Sequence, residues 1–231
     1  MQINKITDIF FDLDHTLWDF ETNSSLAFKK LFQKYQIPIQ IDTFIEVYEP
    51  INKKYWNDYA KGLKTKDEVK YNRLIDTFNK LEMPLEHKLI EKLANGYLDF
   101  LQEEKILIKG TVALLDYLKS KYKLHILTNG FKEVQERKMK NSDIAHYFDQ
   151  IISSEEAGNL KPHPNVFNYA LQKANTFAHN SYMIGDNLKS DILGAHNVGM
   201  YVIHFDPDNE SDIDSKIIPK VQYLHEIREM L

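Results

Sequence analysis

Cysteine is absent from this chain, which removes disulfides and thiolate metal ligands from the means available to it. No stretch reaches the roughly 18 consecutive apolar residues that a membrane helix needs, so no membrane partner is expected. Met1-Gln2-Ile3-Asn4-Lys5-Ile6 has no charged head followed by a long apolar run, which predicts a cytoplasmic protein without a secretory signal. An excess of positive charge is lacking as well. The formal net charge of −5 argues against a nucleic-acid polymer as partner, while a small anion held by a few local cations stays open. Internal repeats, low-complexity tracts and long Gly/Ser linkers are also missing. What is present is 231 residues of ordinary globular composition, enough for one large domain or a core with a smaller domain inserted into it.

Two patterns divide the chain. Ile9-Phe10-Phe11 reads as a buried strand that runs into Asp12-Leu13-Asp14. From there to about Leu107 only helical patterns occur. A first helix over 21–36 ends before Pro38, and a second can be capped by Asp42, with Pro50 inside it as an expected kink or break. Gly62 is a plausible stop, Thr65 to Glu68 has capping-box spacing, and a fourth helical pattern covers 85–104. Beyond Ile108 strands alternate with helices: helix 111–122, strand 123–128, helix 132–140, strand 150–153 and helix 164–174. Strand 182–184, helix 189–197, strand 200–205 and a last helix over 221–230 complete the series. Such alternation predicts an α/β fold, a parallel sheet covered by helices, formed by residues 1–17 and 108–231. Residues 18–107 form an all-helical insertion. Ligands of such sheets bind at the carboxyl ends of the strands, where Asp12, Thr128 and Asp186 all fall.

In a continuing strand Asp12 and Asp14 would share a face and repel each other, so a positive partner is expected, most simply a hard divalent cation with oxygen ligands. Two solvated carboxylates at a strand end are the plainer alternative. Thr128-Asn129-Gly130 offers a hydroxyl and backbone N–H groups to an anionic oxygen, or is an ordinary Asn-Gly turn. Lys161 stands before Pro162-His163-Pro164, either a fixed cation for a phosphate or an aspartate, or a surface lysine in a rigid turn. His163 reads as a turn or capping residue. Asp186 follows a strand tip and either reaches a ligand above the sheet or caps the next helix. Asp191 can support the same cation from outside its coordination sphere.

In order along the chain, Asp12-Leu13-Asp14-His15-Thr16, Thr128, Lys161 and Gly185-Asp186 with Asp191 resemble the motifs of the haloacid dehalogenase superfamily over essentially the whole length. The resemblance implies a Rossmann-like, doubly wound parallel sheet with an inserted helical cap. It implies Asp12 as nucleophile, forming an aspartyl-phosphate, and Asp14 as general acid and then base. It implies Mg2+ held by Asp12, the Asp14 carbonyl and Asp186, with Thr128, Asn129, Gly130 and Lys161 on the phosphoryl group. An aspartate at position 14 disfavours halide chemistry and favours a phosphatase. The run from Asp14 to Asp19, together with Thr128 to Phe131 and Lys161 to Pro164, looks like the pyrimidine 5′-nucleotidase branch, with (deoxy)pyrimidine nucleoside monophosphates as substrates. Trp18, Phe20 and Phe131 are candidates for stacking a base, or pack the joint between the two parts. A sugar-phosphate phosphatase, a phosphoglucomutase-like enzyme and a silent binding module are the alternatives. The expected partner is a small-molecule phosphomonoester, and the expected state a monomer or small homo-oligomer.

Overall fold

A computed structural model describes residues 5–231. These fall into two compact units, one running to Phe20 and resuming at Lys105, the other Glu21–Glu104. The boundaries lie three residues inside those read from sequence, because Trp18 bridges to both Asp14 and Leu107 and so stays with the first unit.

The first unit opens with strand β1 (Asp8–Phe11). The second is helical throughout: α1 (Phe20–Tyr35), α2 (Ile41–Ala60), α3 (Arg73–Lys80) and α4 (His87–Leu101). Its core is aromatic. Phe28 stacks on Tyr97 with centroids 4.1 Å apart and meets Tyr48 edge-on at 4.8 Å. The expected break at Pro50 does not occur, since α2 runs through it with the proline on an exposed face. There a carbonyl left without its N–H partner can be solvated. The Thr65 box forms: Glu68 accepts from Thr65 N at 2.9 Å, and Glu68 N donates back to Thr65 Oγ1 at 3.2 Å.

The first unit then continues through α5 (Thr111–Lys119), β2 (Lys123–Thr128), α6 (Lys132–Asn141), β3 (Gln150–Ser153) and α7 (Pro164–Ala174). β4 (Ser181–Gly185), a π-helical turn over Leu188–Leu193, α8 (Gly194–Asn197) and β5 (Tyr201–Phe205) follow. The last elements are β6 (Lys220–Val221) and α9 (Ile227–Met230). The long final helix expected over 221–230 is thus cut short. Asp206 N bonds Val221 O at 2.8 Å, taking that residue into the sheet edge, and Glu226 caps the chain behind it by accepting from Gln222 N and Tyr223 N, each at 2.8 Å.

All five strand pairings are parallel and the order is β3-β2-β1-β4-β5-β6. From β1 the chain steps outward through β2 and β3, then returns to the other flank of β1 for β4. That reversal places a topological switch point between β1 and β4, where such sheets open a crevice at their carboxyl ends. Register fixes what lines it. Phe11 is level with Ile126 and with Ile184, so Asp12, Thr128 and Gly185 all emerge at the same edge within two residues of that line. Phe10, Leu127, Met183 and Val202 bury one face of the sheet under Val166, Phe167 and Ile192.

Candidate active site

β1 ends at Phe11, so Asp12 and Asp14 do not continue a strand. His15 adopts a left-handed backbone, φ 63°, and the chain doubles back with His15 N on Trp18 O at 2.9 Å. Each carboxylate has its own lysine.

Asp12 Oδ1 accepts from Lys161 Nζ at 2.6 Å. The same ammonium donates to Leu127 O at 2.6 Å and meets Asp191 Oδ1 at 2.8 Å, so its three protons have three acceptors in a site 1% exposed. The Lys161 backbone is clamped by Asn129, whose Oδ1 accepts Lys161 N at 2.8 Å and whose Nδ2 donates to Lys161 O at 3.1 Å. Ser154 Oγ donates to that Oδ1 at 2.7 Å. The Asn129 side chain is therefore committed to holding the lysine. Gly130 N likewise turns inward, onto Thr128 Oγ1 at 3.1 Å.

Asp186 follows β4. Its N–H donates to Thr16 Oγ1 at 3.0 Å, and the same hydroxyl lies 3.1 Å from Asp186 Oδ1. His204 Nε2 donates to the Asp186 carbonyl at 2.8 Å, which sets the ring's tautomer. Asp191 comes close because residue 185 is glycine: a Cβ there would lie 2.7 Å from Asp191 Cβ and Cγ. Oxygens of Asp12, Asp186 and Asp191 all lie within 4.8 Å of one another.

Three carboxylates here face one ammonium. Burial, reinforced by the charges of Asp191 and Asp12, raises the Asp186 carboxyl well above the ordinary range. Burial also pushes Asp12 up, to about 7, against the pull of Lys161. Lys161 is held above the usual lysine value because Asp12 and Asp191 outweigh its desolvation. A buried, all-oxygen cluster with surplus negative charge fits a hard divalent cation such as Mg2+.

Asp14 is placed differently. Its Oδ1 accepts from Lys138 Nζ at 2.7 Å and its Oδ2 from Gln135 Nε2 at 2.9 Å. Lys138 sits 4.1 Å over the Trp18 ring and 5.3 Å from that of Phe20, and Trp18 Nε1 donates to Ser142 Oγ at 3.2 Å. Trp18, fully buried, thus seats an ammonium group. Phe20 shares that seat, and Phe131 is 5% exposed at the start of α6. Gln135 and Lys138 are the residues that sequence reasoning misses. Their signal is faint: α6 carries only Val134 and Met139 as apolar residues, so a helix packed on the sheet must bury polar ones.

The chain belongs to the haloacid dehalogenase-like hydrolase family, whose model matches residues 9–205. It is a hydrolase of that family with the family's α/β fold. It is 30% identical to YfnB of Bacillus subtilis, whose magnesium-bound crystal structure is described as revealing interdomain movement. That structure superposes with a TM-score of 0.88 over 98% of this chain and 99% of the other. The pyrimidine 5′-nucleotidase YjjG of Escherichia coli is 30% identical over 96% of both chains. A glyceraldehyde 3-phosphate phosphatase of Methanothermobacter thermautotrophicus is 27% identical over 95% of this chain and 98% of its own.

Proposed function

We propose that this hydrolase is a magnesium-dependent phosphomonoesterase working through Asp12, with (deoxy)pyrimidine nucleoside monophosphates as its preferred substrates. The observation that carries the reading is the separation of the two carboxylates: Asp12 on Lys161 inside an acidic cluster, Asp14 on its own cationic partner. Unlike environments suit two carboxylates to unlike roles.

An Asp12 oxygen attacks phosphorus and the ester P–O bond breaks, while the Asp14 carboxyl gives its proton to the departing alkoxide. Water then attacks the aspartyl-phosphate, Asp14 takes its proton, and the bond to Asp12 breaks to release inorganic phosphate. Lys161 and the Thr128 hydroxyl stabilise the negative oxygens of the transferring group. Asp12, the Asp14 carbonyl and Asp186 would hold Mg2+, with Asp191 close by; when bound, it neutralises charge on nucleophile and phosphate. Residues 18–107 are assigned the selection of the leaving group.

The nucleotide preference rests on the motif resemblance and on the likeness to YjjG. Sugar phosphates are the second reading, favoured by the likeness to a glyceraldehyde 3-phosphate phosphatase. Phosphate release from both substrate sets, with Mg2+ or with chelator and with Asp12→Asn as blank, tests the proposal. Mg2+-dependent turnover strongest on dUMP and dTMP is expected. Turnover confined to sugar phosphates would overturn the substrate class, and none on any phosphomonoester would overturn the enzyme.

A further inference from the structure

Gln135 is buried on α6, 1% exposed, and its single amide nitrogen serves two residues of the site. Nε2 donates to Asp14 Oδ2 at 2.9 Å and to Thr128 Oγ1 at 2.8 Å, which uses both of its protons. The amide cannot be turned over: the flipped form would set its carbonyl oxygen against a carboxylate, which only accepts. The cost of this orientation is visible, because Oε1 is left buried without a partner. Such an orphan acceptor is uncommon in a packed interior and calls for a reason. Room for the side chain is also reserved. A Cβ at Gly130 would collide with the Gln135 amide and lie 2.6 Å from its Cδ.

The consequence falls on Thr128. Its hydroxyl oxygen accepts from Gly130 N at 3.1 Å and from Gln135 Nε2 at 2.8 Å, so both lone pairs are engaged and its one proton is left to be donated. We infer that Gln135 is a positioning residue that sets two groups at once: it turns the Thr128 hydroxyl into an obligate donor toward a phosphoryl oxygen and fixes the Asp14 carboxyl for proton transfer to the leaving group. This rests on the phosphomonoesterase reading above and adds to it a link between phosphate binding and leaving-group protonation.

The two effects separate experimentally. Protonation by Asp14 matters for alkyl phosphates, whose alkoxides leave poorly, and little for p-nitrophenyl phosphate, whose phenolate leaves unaided. Donation by Thr128 matters for both, and for competitive inhibition by inorganic phosphate. Gln135→Met keeps the length of the side chain and removes the donor. With Mg2+ present, it is expected to weaken inhibition by inorganic phosphate about tenfold, the scale of one hydrogen bond to an anion. Its kcat on an alkyl monophosphate should fall by about 100-fold, the lower range for a general acid, against less than about tenfold on p-nitrophenyl phosphate. In a Thr128→Val background the change in phosphate inhibition should vanish, and in an Asp14→Asn background the leaving-group selectivity should vanish. Equal losses on both substrates, or losses that persist in those backgrounds, would mean a merely structural residue and overturn the inference. Gln135→Leu guards against misfolding of the first variant: it also lacks the donor, and its melting point is read alongside. A wild-type protein that turns over neither substrate would instead sink the phosphomonoesterase reading itself.

Discussion

At the scale of single residues, the site depends on atoms that are missing as much as on those present. Gly185 admits Asp191 to the acidic cluster, and alanine there would meet the inflexible Cβ and Cγ of that aspartate. Gly185→Ala should therefore lower stability by about 1–3 kcal/mol, as overpacking does. It should also weaken Mg2+ binding, and melting curves with and without Mg2+ read both effects. Lys161 is the one basic side chain bonded to Asp12 and Asp191 among the described residues. Lys161→Met would leave two buried carboxylates without their cation, a loss of about 3–5 kcal/mol by analogy with other broken buried pairs. Added Mg2+ should recover part of that stability. A variant that melts like the wild type in chelator would contradict the ion-pair account.

At the scale of elements, the strand that leads into Asp12 is anchored at its other end by a second buried pair. Asp8 Oδ1 lies 2.8 Å from His125 Nε2, and Thr7 Oγ1 donates to Asp8 Oδ2 at 2.6 Å. Burial would raise the Asp8 carboxyl, but the bonds from His125 and Thr7 outweigh it and hold it below the ordinary range. A carboxyl depressed in the folded state contributes stability above its unfolded pKa of about 3.9 and loses it as the pH falls through the folded value. Asp8→Asn should cost about 1–3 kcal/mol at neutral pH, the price of an unmet buried partner. It should also flatten the loss of stability below about pH 4. Urea titrations of both proteins at pH 7 and pH 3 check this.

Elements differ in how much of them can be read beforehand. β2, β3 and α7 are legible to the residue because an apolar run, a turn signal and a helix-starting proline mark their ends locally. The last helix is misread because its first residue, Val221, is claimed by pairing with β5, a competition that no local pattern records. The site divides in the same way. Asp12, Thr128, Lys161 and Asp186 each stand at a strand end or a proline-marked turn and can be read from sequence, whereas Gln135 and Lys138 occupy an unremarkable polar helix. Only the fold brings those two to Asp14.

At the scale of the whole molecule, two units have separate cores, one aromatic and helical, the other a sheet buried between helices. Phe28 is fully buried and contacts Phe32, Phe44, Tyr48 and Tyr97. Phe28→Ala should remove about 3–5 kcal/mol from the helical unit. At the proposed site on the carboxylates of the other unit, Mg2+ should raise that unit's transition by mass action. Calorimetry with and without Mg2+ should then resolve a transition that the substitution lowers and a second that the cation raises. One transition, shifted alike by both, would contradict two separable units.

The hydrogen bond from Thr16 to Asp186 joins residues 170 positions apart. During synthesis Asp12 is made almost at once, yet the residues that complete its surroundings are added only when four-fifths of the chain exists. The acidic cluster around Asp12 is consequently incomplete in any nascent chain until β4 stands beside β1.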